Sequence, residues 1–379
     1  MPGLDGLRAL AVTAVLLYHA GVAWMPGGFL GVDVFFVISG YLITALLVTE
    51  WRLRGRIDLK TFWVRRARRL LPALYLVVVA TLAFAVLFLP GEVAGLRGDA
   101  LSAFGYVTNW YLIFGNESYF EAMARPSLLR HLWSLAVEEQ FYLLWPPIVA
   151  LGIGIGARRH RLARLTVVAL AIAGASALLM AQLHDPAVDP SRIYYGTDTR
   201  ATGLLLGAAL AFVWRPGDRR ARAKRRTNTP AERLRRRWGW TSPAFLDVAG
   251  LAALAGLLAF CLRLDEFEPF LYNGGFAAVS LTTAALVAVV AHPRSRVGGL
   301  LLGWRPLRWI GERSYGIYLW HWPVFMVTRP GLDVPLDGAW LLALRIGASV
   351  GLAHLSYRYV EEPVRHGAIG RLWRRLRPH

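Results

Sequence analysis

Long apolar stretches separated by short polar segments run along almost the whole chain. Segments 73–89 and 276–291, for example, contain no charged residue. A helix needs about 20 apolar residues to cross the roughly 30 Å of hydrocarbon in a bilayer. The pattern therefore predicts an all-α integral membrane protein, a bundle of about ten transmembrane helices. The predicted spans are residues 7–24, 29–50, 70–90, 132–156, 162–183, 199–214, 244–262, 273–291, 313–328 and 338–358.

One further apolar segment, 100–115, is short and carries Asn109 near its middle. Lys and Arg favour the cytoplasmic side of a membrane. If this segment does not cross, one side receives 35 of the 43 basic residues; if it crosses, the bias is lost from that point onward. We therefore expect a re-entrant or interfacial segment at 100–115 and both termini in the cytoplasm. The same reasoning predicts a basic cytoplasmic loop at 215–243 and a basic cytoplasmic tail at 359–379.

Composition agrees with a membrane protein, because 56% of the residues are hydrophobic and only 18% are charged. A net charge of +19 also occurs in nucleic-acid-binding proteins. Here, however, the basic residues form short clusters between the apolar spans, and most Trp and Tyr residues lie in or beside the spans. We expect no nucleic-acid partner.

Cys261 is the only cysteine, which excludes an internal disulfide and a Cys-rich metal site. We find no H-E-x-x-H zinc motif and no P-loop, and we expect no bound metal.

The first predicted span contains two ionisable residues, Arg8 and His19. They are separated by about three helical turns, so they share a helix face, roughly 16 Å apart along the axis. Ionisable side chains inside a membrane span are costly and are functional candidates. A neutral imidazole can take a proton from an attacking hydroxyl or accept an acyl group itself. The alternative is that Arg8 is a positive-inside anchor and His19 a satisfied polar residue.

Two later motifs place polar side chains on one face of a predicted helix. They are His131, Ser134 and Glu138 in segment 131–142, and Ser314, Tyr318 and His321 in segment 314–323. A carboxylate in this setting can orient a histidine or act as an acid or base, whereas Glu139 points about 100° away from Glu138. The alternative interpretation is polar contact between packed helices.

A basic cluster, 65–69 (RRARR), precedes the third predicted span. Arginine forks are suited to phosphate groups, so a nucleotide-bearing donor could dock here from the cytoplasm. The alternative is a charge that only sets topology. Asp33, Arg200 and Arg345 are isolated charges inside predicted spans, and the sequence does not identify their partners.

Seven segments, in order, resemble the membrane acyltransferase-3 family of integral O-acyltransferases. These are LDGLRALAVTAVLLYHAG (4–21), GVDVFFVISGYLIT (31–44), FWVRRARRLLPALY (62–75), RHLWSLAVEEQFYLLWP (130–146), TDTRATGLLLGAALA (197–211), SYGIYLWHWPV (314–324) and YRYVEEPVR (357–365). The R-x-x-R element aligns to Arg66 and Arg69, with Arg65 and Arg68 also fitting its spacing. The family glutamate falls on Glu138. After Arg200 the chain has Thr202-Gly203 where the family often has an acidic or small residue.

The resemblance implies a bacterial inner-membrane enzyme that uses a cytoplasmic acyl-CoA, by default acetyl-CoA, and a carbohydrate-containing acceptor, with no permanently bound cofactor. It implies a single acyltransferase domain over 1–379, without the soluble esterase-like domain that some members append. Arg8, Arg66 and Arg69 would meet the donor's phosphates, and His19, Glu138 and His321 would be catalytic. His19 would face the same channel as these arginines and act as general base or transient acyl carrier. The remaining cavity-lining candidates are Asp33, Ser39, His131, Trp133, Ser134, Tyr142, Arg200, Ser314, Tyr315 and Tyr318.

Two other functions compete with acyl transfer. Intramembrane His, Glu and Arg also suit a transporter or flippase for a glycan or small molecule, although we see no related halves of the kind that transporters often have. A non-catalytic membrane partner would be expected to lose one of His19, Glu138 or His321, and all three are present. The sequence does not indicate the acceptor, the acyl chain or the oligomeric state.

Overall fold

A computed structural model describes residues 1–120, 125–155, 160–215 and 242–367 of the 379-residue chain. Within these ranges the structure is helical and contains no strand. The chain divides into two compact units, Met1–Ile57 with Leu144–Glu312, and Asp58–Leu143 with Arg313–His379. We call them the first and second unit and describe each by itself.

The described helices follow one another along the chain with short connections. In chain order they are α1 (Pro2–His19), α2 (Gly31–Arg54), α3 (Leu59–Phe88), α4 (Val93–Phe104), α5 (Thr108–Phe114), α6 (Leu132–Gly154), α7 (Arg161–Leu183), α8 (Ser191–Tyr195), α9 (Thr197–Val213), α10 (Pro243–Arg263), α11 (Phe276–Val290), α12 (Arg305–Met326), α13 (Gly338–Ser356) and α14 (Glu362–Arg365). Short 3₁₀ turns occupy Gly28–Leu30 and Pro90–Glu92, and wide π turns occupy Leu271–Gly275, Val297–Leu301 and Tyr357–Glu361.

Six stretches among the described residues are long and apolar enough to cross a membrane. They are Gly28–Arg54, Leu59–Phe88, Arg161–Leu183, Pro243–Arg263, Leu271–Val290 and Gly338–Arg365. In α7 only 22% of the most apolar window is buried, and Val167 and Leu178 are 66% and 64% exposed. Apolar faces of this size are unfavourable in water and are covered by lipid in a bilayer. The structure therefore confirms the predicted all-α membrane class.

Each predicted span coincides with a helix, but several predicted boundaries were wrong. The first helix ends at His19 rather than at residue 24, the third begins at Leu59 rather than at 70, and α12 begins at Arg305 rather than at 313. Hydropathy marks only the apolar part of a helix and misses its polar turns. Asp58 starts α3 as an N-cap, because its carboxylate accepts a hydrogen bond from the Thr61 N–H at 3.0 Å. The helix then runs through the RRARR cluster, since arginine is a good helix former.

The segment predicted to be re-entrant or interfacial, 100–115, is broken. It contains the end of α4 and all of α5, and between them Tyr106 has a φ of 54°. Gln140 of α6 secures this break, because its Nε2 donates to Tyr106 O at 2.9 Å and to Asn109 Oδ1 at 3.0 Å. The carbonyl oxygen of the buried Asn109 side chain is thereby hydrogen-bonded. Where the segment lies relative to the membrane stays a prediction.

Glycines allow close helix packing in the first unit. A Cβ on Gly40 of α2 would overlap the Leu204 carbonyl of α9, and a Cβ on Gly207 of α9 would overlap the Val37 carbonyl of α2. In a membrane there is no hydrophobic driving force for helices to associate, because lipid is as apolar as the helix surfaces. Helices whose backbones approach this closely are held together by van der Waals packing instead. This crossing holds Asp33 on α2 and Arg200 on α9 within one packed pair of helices.

An apolar core organises the second unit around α3. Side chains of α3 pack with those of α4, with the start of α6 and with Leu319 of α12. The fully or nearly fully buried members are Ala73, Leu74, Val77, Val78, Ala85, Leu96, Ala100, Ala103, Leu128, Leu129, Leu132, Leu135 and Leu319.

The two predicted basic cytoplasmic regions fall largely outside the described residues. Residues 216–241 of the loop predicted at 215–243, and residues 368–379 of the tail predicted at 359–379, are not described. The start of the tail forms the π turn Tyr357–Glu361 and α14. The prediction of one acyltransferase domain over 1–379 stays a prediction.

Candidate functional site

The two polar helix faces predicted in segments 131–142 and 314–323 meet in the second unit. The Tyr318 hydroxyl donates to the His131 carbonyl at 3.0 Å, so the 2.6 Å contact between Ser134 Oγ and Tyr318 Oη has Ser134 as the donor. The rings of His131 and His321 have centroids 5.7 Å apart. All four side chains are buried. We call this set, His131, Ser134, Tyr318 and His321, the polar seam.

Proline chemistry explains how His131 is held. Pro323 has no N–H, so the carbonyl of Leu319, four residues earlier in α12, lacks its intrahelical donor. The Nε2 atom of His131 lies 3.1 Å from Leu319 O. Because a carbonyl only accepts, Nε2 must carry the proton and Nδ1 of the neutral ring is an acceptor. That Nδ1 is buried and has no hydrogen-bond partner within the described part of the chain.

The second ring of the seam has the opposite tautomer. His321 Nδ1 lies 2.5 Å from the Tyr318 carbonyl, so Nδ1 donates and Nε2 of the neutral ring carries the lone pair. An imidazole that is fixed at one nitrogen by a carbonyl presents the other as an oriented proton acceptor. In its resting state the seam therefore has two neutral rings, and each presents one defined nitrogen that could accept a proton.

Three further predicted cavity residues also lie in the second unit. Ser314 is buried, and its Oγ has no hydrogen-bond partner within the described ranges. The Tyr315 hydroxyl donates to Leu70 O of α3 at 3.0 Å. Trp133 is buried and packs edge-on against Tyr119, with ring centroids 6.1 Å apart.

Arg66 occupies an acidic and aromatic environment within the second unit. Its guanidinium lies 5.5 Å from the ring centroid of Tyr142 and 5.7 Å from that of Phe62. The Tyr142 hydroxyl donates to Glu138 Oε2 at 3.2 Å, and both Glu138 and Glu139 interact electrostatically with Arg66. Trp63 steadies this group by donating from Nε1 to Tyr142 O at 3.1 Å, a carbonyl that Pro146 leaves without its helical donor.

The four arginines of the RRARR cluster divide into two faces of α3. Arg66 and Arg69 are partly buried, whereas Arg65 and Arg68 are exposed. Residues three apart share a helix face, so Arg66 and Arg69 form one inward-facing pair. The alignment of the R-x-x-R element to Arg66 and Arg69 stays a prediction.

The first unit contains a buried ion pair between two predicted site residues. Arg200 Nη2 donates to Asp33 Oδ2 at 3.0 Å, and the side chains are 1% and 5% exposed. The Arg200 guanidinium also lies 4.0 Å from the ring centroid of Phe276 and 4.9 Å from that of Tyr194. Asp33 is thus the partner that the sequence left unidentified.

His19 is the last residue of α1 and is only partly buried. Its ring lies next to that of Tyr18, with centroids 5.2 Å apart. The ring of Tyr18 in turn lies edge-on to that of Phe29, with centroids 5.3 Å apart. Phe29 in turn contacts Tyr194, which stacks on Arg200. Arg8 and Ser39 are also partly buried in this unit. The predicted channel shared by His19 and the α3 arginines stays a prediction.

Several contacts of the site were not expected from the sequence. Glu139 interacts electrostatically with Arg66, as Glu138 does, although the two glutamates point about 100° apart on the helix. The predicted contact between Glu138 and a histidine stays a prediction. Arg345 caps the end of α12, donating to Thr328 O at 3.0 Å, Phe325 O at 3.3 Å and Thr328 Oγ1 at 3.1 Å.

No group of three or more His, Cys, Asp or Glu side chains that could hold a metal ion occurs in the described ranges. The arginines described above can bind anions, and the imidazole and carboxylate groups can transfer protons.

Comparison with known proteins decides the family. Residues 1–358 match the acyltransferase-3 family, described as an acyltransferase domain. The chain belongs to this family. Similar proteins include peptidoglycan O-acetyltransferase OatA of Listeria monocytogenes, at 44% identity over 96% of this chain and 56% of that protein. Putative peptidoglycan O-acetyltransferase YrhL of Bacillus subtilis is 45% identical over 96% of this chain and 55% of that protein.

A more distant relative is O-acetyltransferase OatA of Staphylococcus aureus, at 38% identity over 96% of this chain and 57% of that protein. The chain therefore spans a little over half the length of these relatives. No solved structure matches. Together, the family and the spanning helices make the chain a multi-pass membrane protein of an acyltransferase family.

Proposed function

We propose that the chain transfers an acetyl group from a cytoplasmic acyl-CoA to a hydroxyl of a cell-wall glycan, as a membrane O-acetyltransferase. The observation that carries this proposal is the inward-facing pair Arg66 and Arg69 on α3, in the same unit as the buried polar seam. Two of the relatives are named as peptidoglycan O-acetyltransferases, one of them putative, which favours peptidoglycan as the acceptor.

The donor site is proposed from charge and geometry. Coenzyme A carries a 3′-phosphate and a diphosphate, and arginine binds such groups through paired N–H donors. Arg66 and Arg69 of the second unit supply these donors. Arg66 is already oriented by the Tyr142 ring and by its acidic neighbours, which reduces the entropy lost when a phosphate binds.

The reaction is a displacement at the thioester carbonyl. The acceptor hydroxyl oxygen attacks the carbonyl carbon while His19 removes the hydroxyl proton. The C–S bond then breaks, and the leaving thiolate takes a proton to give free coenzyme A. In the acyl-carrier version, a nitrogen of His19 first takes the acetyl group, releasing the thiol, and the hydroxyl then attacks acetyl-His19. His321 and Glu138 assist proton transfer in either version.

We further infer ten membrane spans, with both termini in the cytoplasm of a bacterial cell and the protein in its inner membrane. Positive-inside charge supports this topology. Because Cys261 is the only cysteine, the Cys261→Ser chain is a clean background for single-cysteine labelling. A cysteine near either terminus should react only after an impermeant reagent reaches the cytoplasm. Labelling from outside in intact cells would refute this orientation.

The enzyme proposal is tested with full-length protein in nanodiscs, acetyl-CoA and a peptidoglycan fragment. We expect free thiol and an acetylated glycan from the wild type, and neither product from His19→Ala at normal yield. Acetylation of the glycan from another donor would overturn the acyl-CoA step. Glycan flux without any acyl transfer would overturn the enzyme function in favour of transport.

Two double variants test whether Arg66 and Arg69, rather than Arg65 and Arg68, bind the donor. The double variant Arg66→Ala/Arg69→Ala should weaken acetyl-CoA binding by about 100-fold or more, since each charged hydrogen bond contributes about 1.5–3 kcal/mol. The double variant Arg65→Ala/Arg68→Ala removes the same net charge from the exposed face and should weaken binding much less. Equal losses would refute the assignment to the inward-facing pair.

A further inference from the structure

Glu361 of the second unit is held by the π turn Tyr357–Glu361. Ser356 Oγ donates to Glu361 Oε1 at 3.2 Å. In an α-helix, residues five apart point in different directions, whereas a π turn joins residues i and i+5. The widened turn therefore allows this contact and fixes the direction of the carboxylate.

The surroundings of Glu361 show where the carboxylate points. Gly316 of α12 leaves room for it, because a Cβ at that position would lie 3.3 Å from Glu361 Oε1. Helix α3 packs against both the π turn and α14. Within this packing, Glu361 interacts electrostatically with Arg69 of α3 and Arg313 of α12.

Arg313 has fixed partners of its own. Its Nε donates to His354 Nδ1 at 3.1 Å, and its guanidinium lies 4.7 Å from the ring centroid of Tyr357. Arg69, by contrast, lies on the inward face of α3 next to Arg66, where the donor's phosphates are proposed to bind. A carboxylate on one side of a guanidinium orients it and leaves its remaining N–H groups to meet an anion on the other side.

From this arrangement we propose that Glu361 is a positioning residue, which orients the Arg69 guanidinium toward the phosphate groups of the acyl donor. It is the counterpart, for Arg69, of Glu138 and Glu139 beside Arg66. Glu361 does not itself touch the donor. This inference rests on the proposed acyl-CoA donor, and its test separates the two.

Glu361→Gln removes the charge and keeps the shape of the side chain. The neighbouring Glu362 is exposed at the start of α14, so Glu362→Gln is a matched control with the same change in net charge. With full-length protein in nanodiscs, we expect the KM for acetyl-CoA to rise about tenfold in Glu361→Gln, with kcat changed less than twofold. Glu361→Asp should recover part of the loss, and Glu362→Gln should match the wild type.

A purely structural role would give a different pattern. If Glu361→Gln lowers kcat and melting temperature with KM unchanged, or leaves all parameters unchanged, the positioning role is wrong. In a double-mutant cycle, adding Glu361→Gln to Arg69→Ala should raise KM no further, and additive effects would refute the coupling. A wild type that neither binds nor consumes acetyl-CoA would instead overturn the proposed donor, and this inference with it.

Discussion

The buried ion pair of the first unit gives the sharpest stability prediction. Asp33→Asn removes the carboxylate that pairs with Arg200 at 3.0 Å, while the guanidinium stays packed against Phe276 and Tyr194. Breaking a buried pair by removing one partner leaves an uncompensated charge and costs about 3–5 kcal/mol. The first unit should therefore be strongly destabilised by a change of one carboxylate oxygen to an amide.

The double variant Asp33→Leu/Arg200→Met tests the cause of that loss. It removes both charges and fills the space with apolar atoms, so its stability should return to within about 1 kcal/mol of the wild type. A second ion pair serves as the control. Arg192 and Asp198 are 2.7 Å apart with side chains 42% and 34% exposed, and for such an exposed pair Asp198→Asn should cost less than about 1 kcal/mol.

The measurement is thermal unfolding of purified protein in detergent, followed by size-exclusion chromatography of the heated samples. The unfolding entropy is about 2 cal/mol/K per residue, and the chain has 379 residues. A loss of about 3–5 kcal/mol in the free energy of unfolding therefore corresponds to a fall in melting temperature of roughly 4–6 °C. An Asp33→Asn variant that melts with the wild type would refute the reasoning. So would a double variant less stable than Asp33→Asn alone.

Three further predictions follow from single contacts. Gly40→Ala should sharply reduce the yield of monodisperse protein, because the added Cβ would overlap Leu204 O. As a control, Gly174 in α7 has open space around it, so Gly174→Ala should be neutral or stabilising. Comparable yields of the two variants would contradict this packing. Tyr318→Phe removes the hydroxyl that donates to the buried His131 carbonyl and accepts from Ser134, so it should lower the free energy of unfolding by about 1–3 kcal/mol, and an unchanged melting temperature would contradict this. Burial raises the pKa of Asp333, but hydrogen bonds from Arg329 and the nearby arginine charges outweigh it and hold the pKa below its usual value. The stability from Asp333 is therefore fully present above the unfolded pKa of about 3.9 and is lost as the pH falls through the lower folded pKa. In melting experiments, the difference between wild type and Asp333→Asn at pH 6 should shrink progressively as the pH is lowered below about 3.9.

The sequence predicted the helices well because their signal is local. Each predicted span is an apolar run, and the run persists whatever packs against it. Where a helix also has polar turns, as at the start of α3 and of α12, hydropathy placed its beginning too late. Hydropathy does not detect a capping residue such as Asp58, whose carboxylate marks the start of α3.

Pairing between distant residues was harder to predict. Periodicity placed His131 with Ser134 and Tyr318 with His321, each on one face of a helix, but it does not say that these faces meet. Asp33 and Arg200 were noted only as isolated charges, since nothing local links residues on different helices. Glu361 was overlooked for a related reason, because its place beside Arg69 depends on a π turn that no simple pattern marks.

Pro323 affects the protonation of His131, a side chain on a different segment, through the carbonyl of Leu319. If alanine replaced it, a new backbone N–H would compete with the imidazole of His131 for the oxygen of Leu319. The ring would then no longer have to keep its proton on Nε2, and its two nitrogens could exchange donor and acceptor roles. A helix-friendly substitution that leaves all polar side chains intact would thus change which atom of a buried base is available for chemistry.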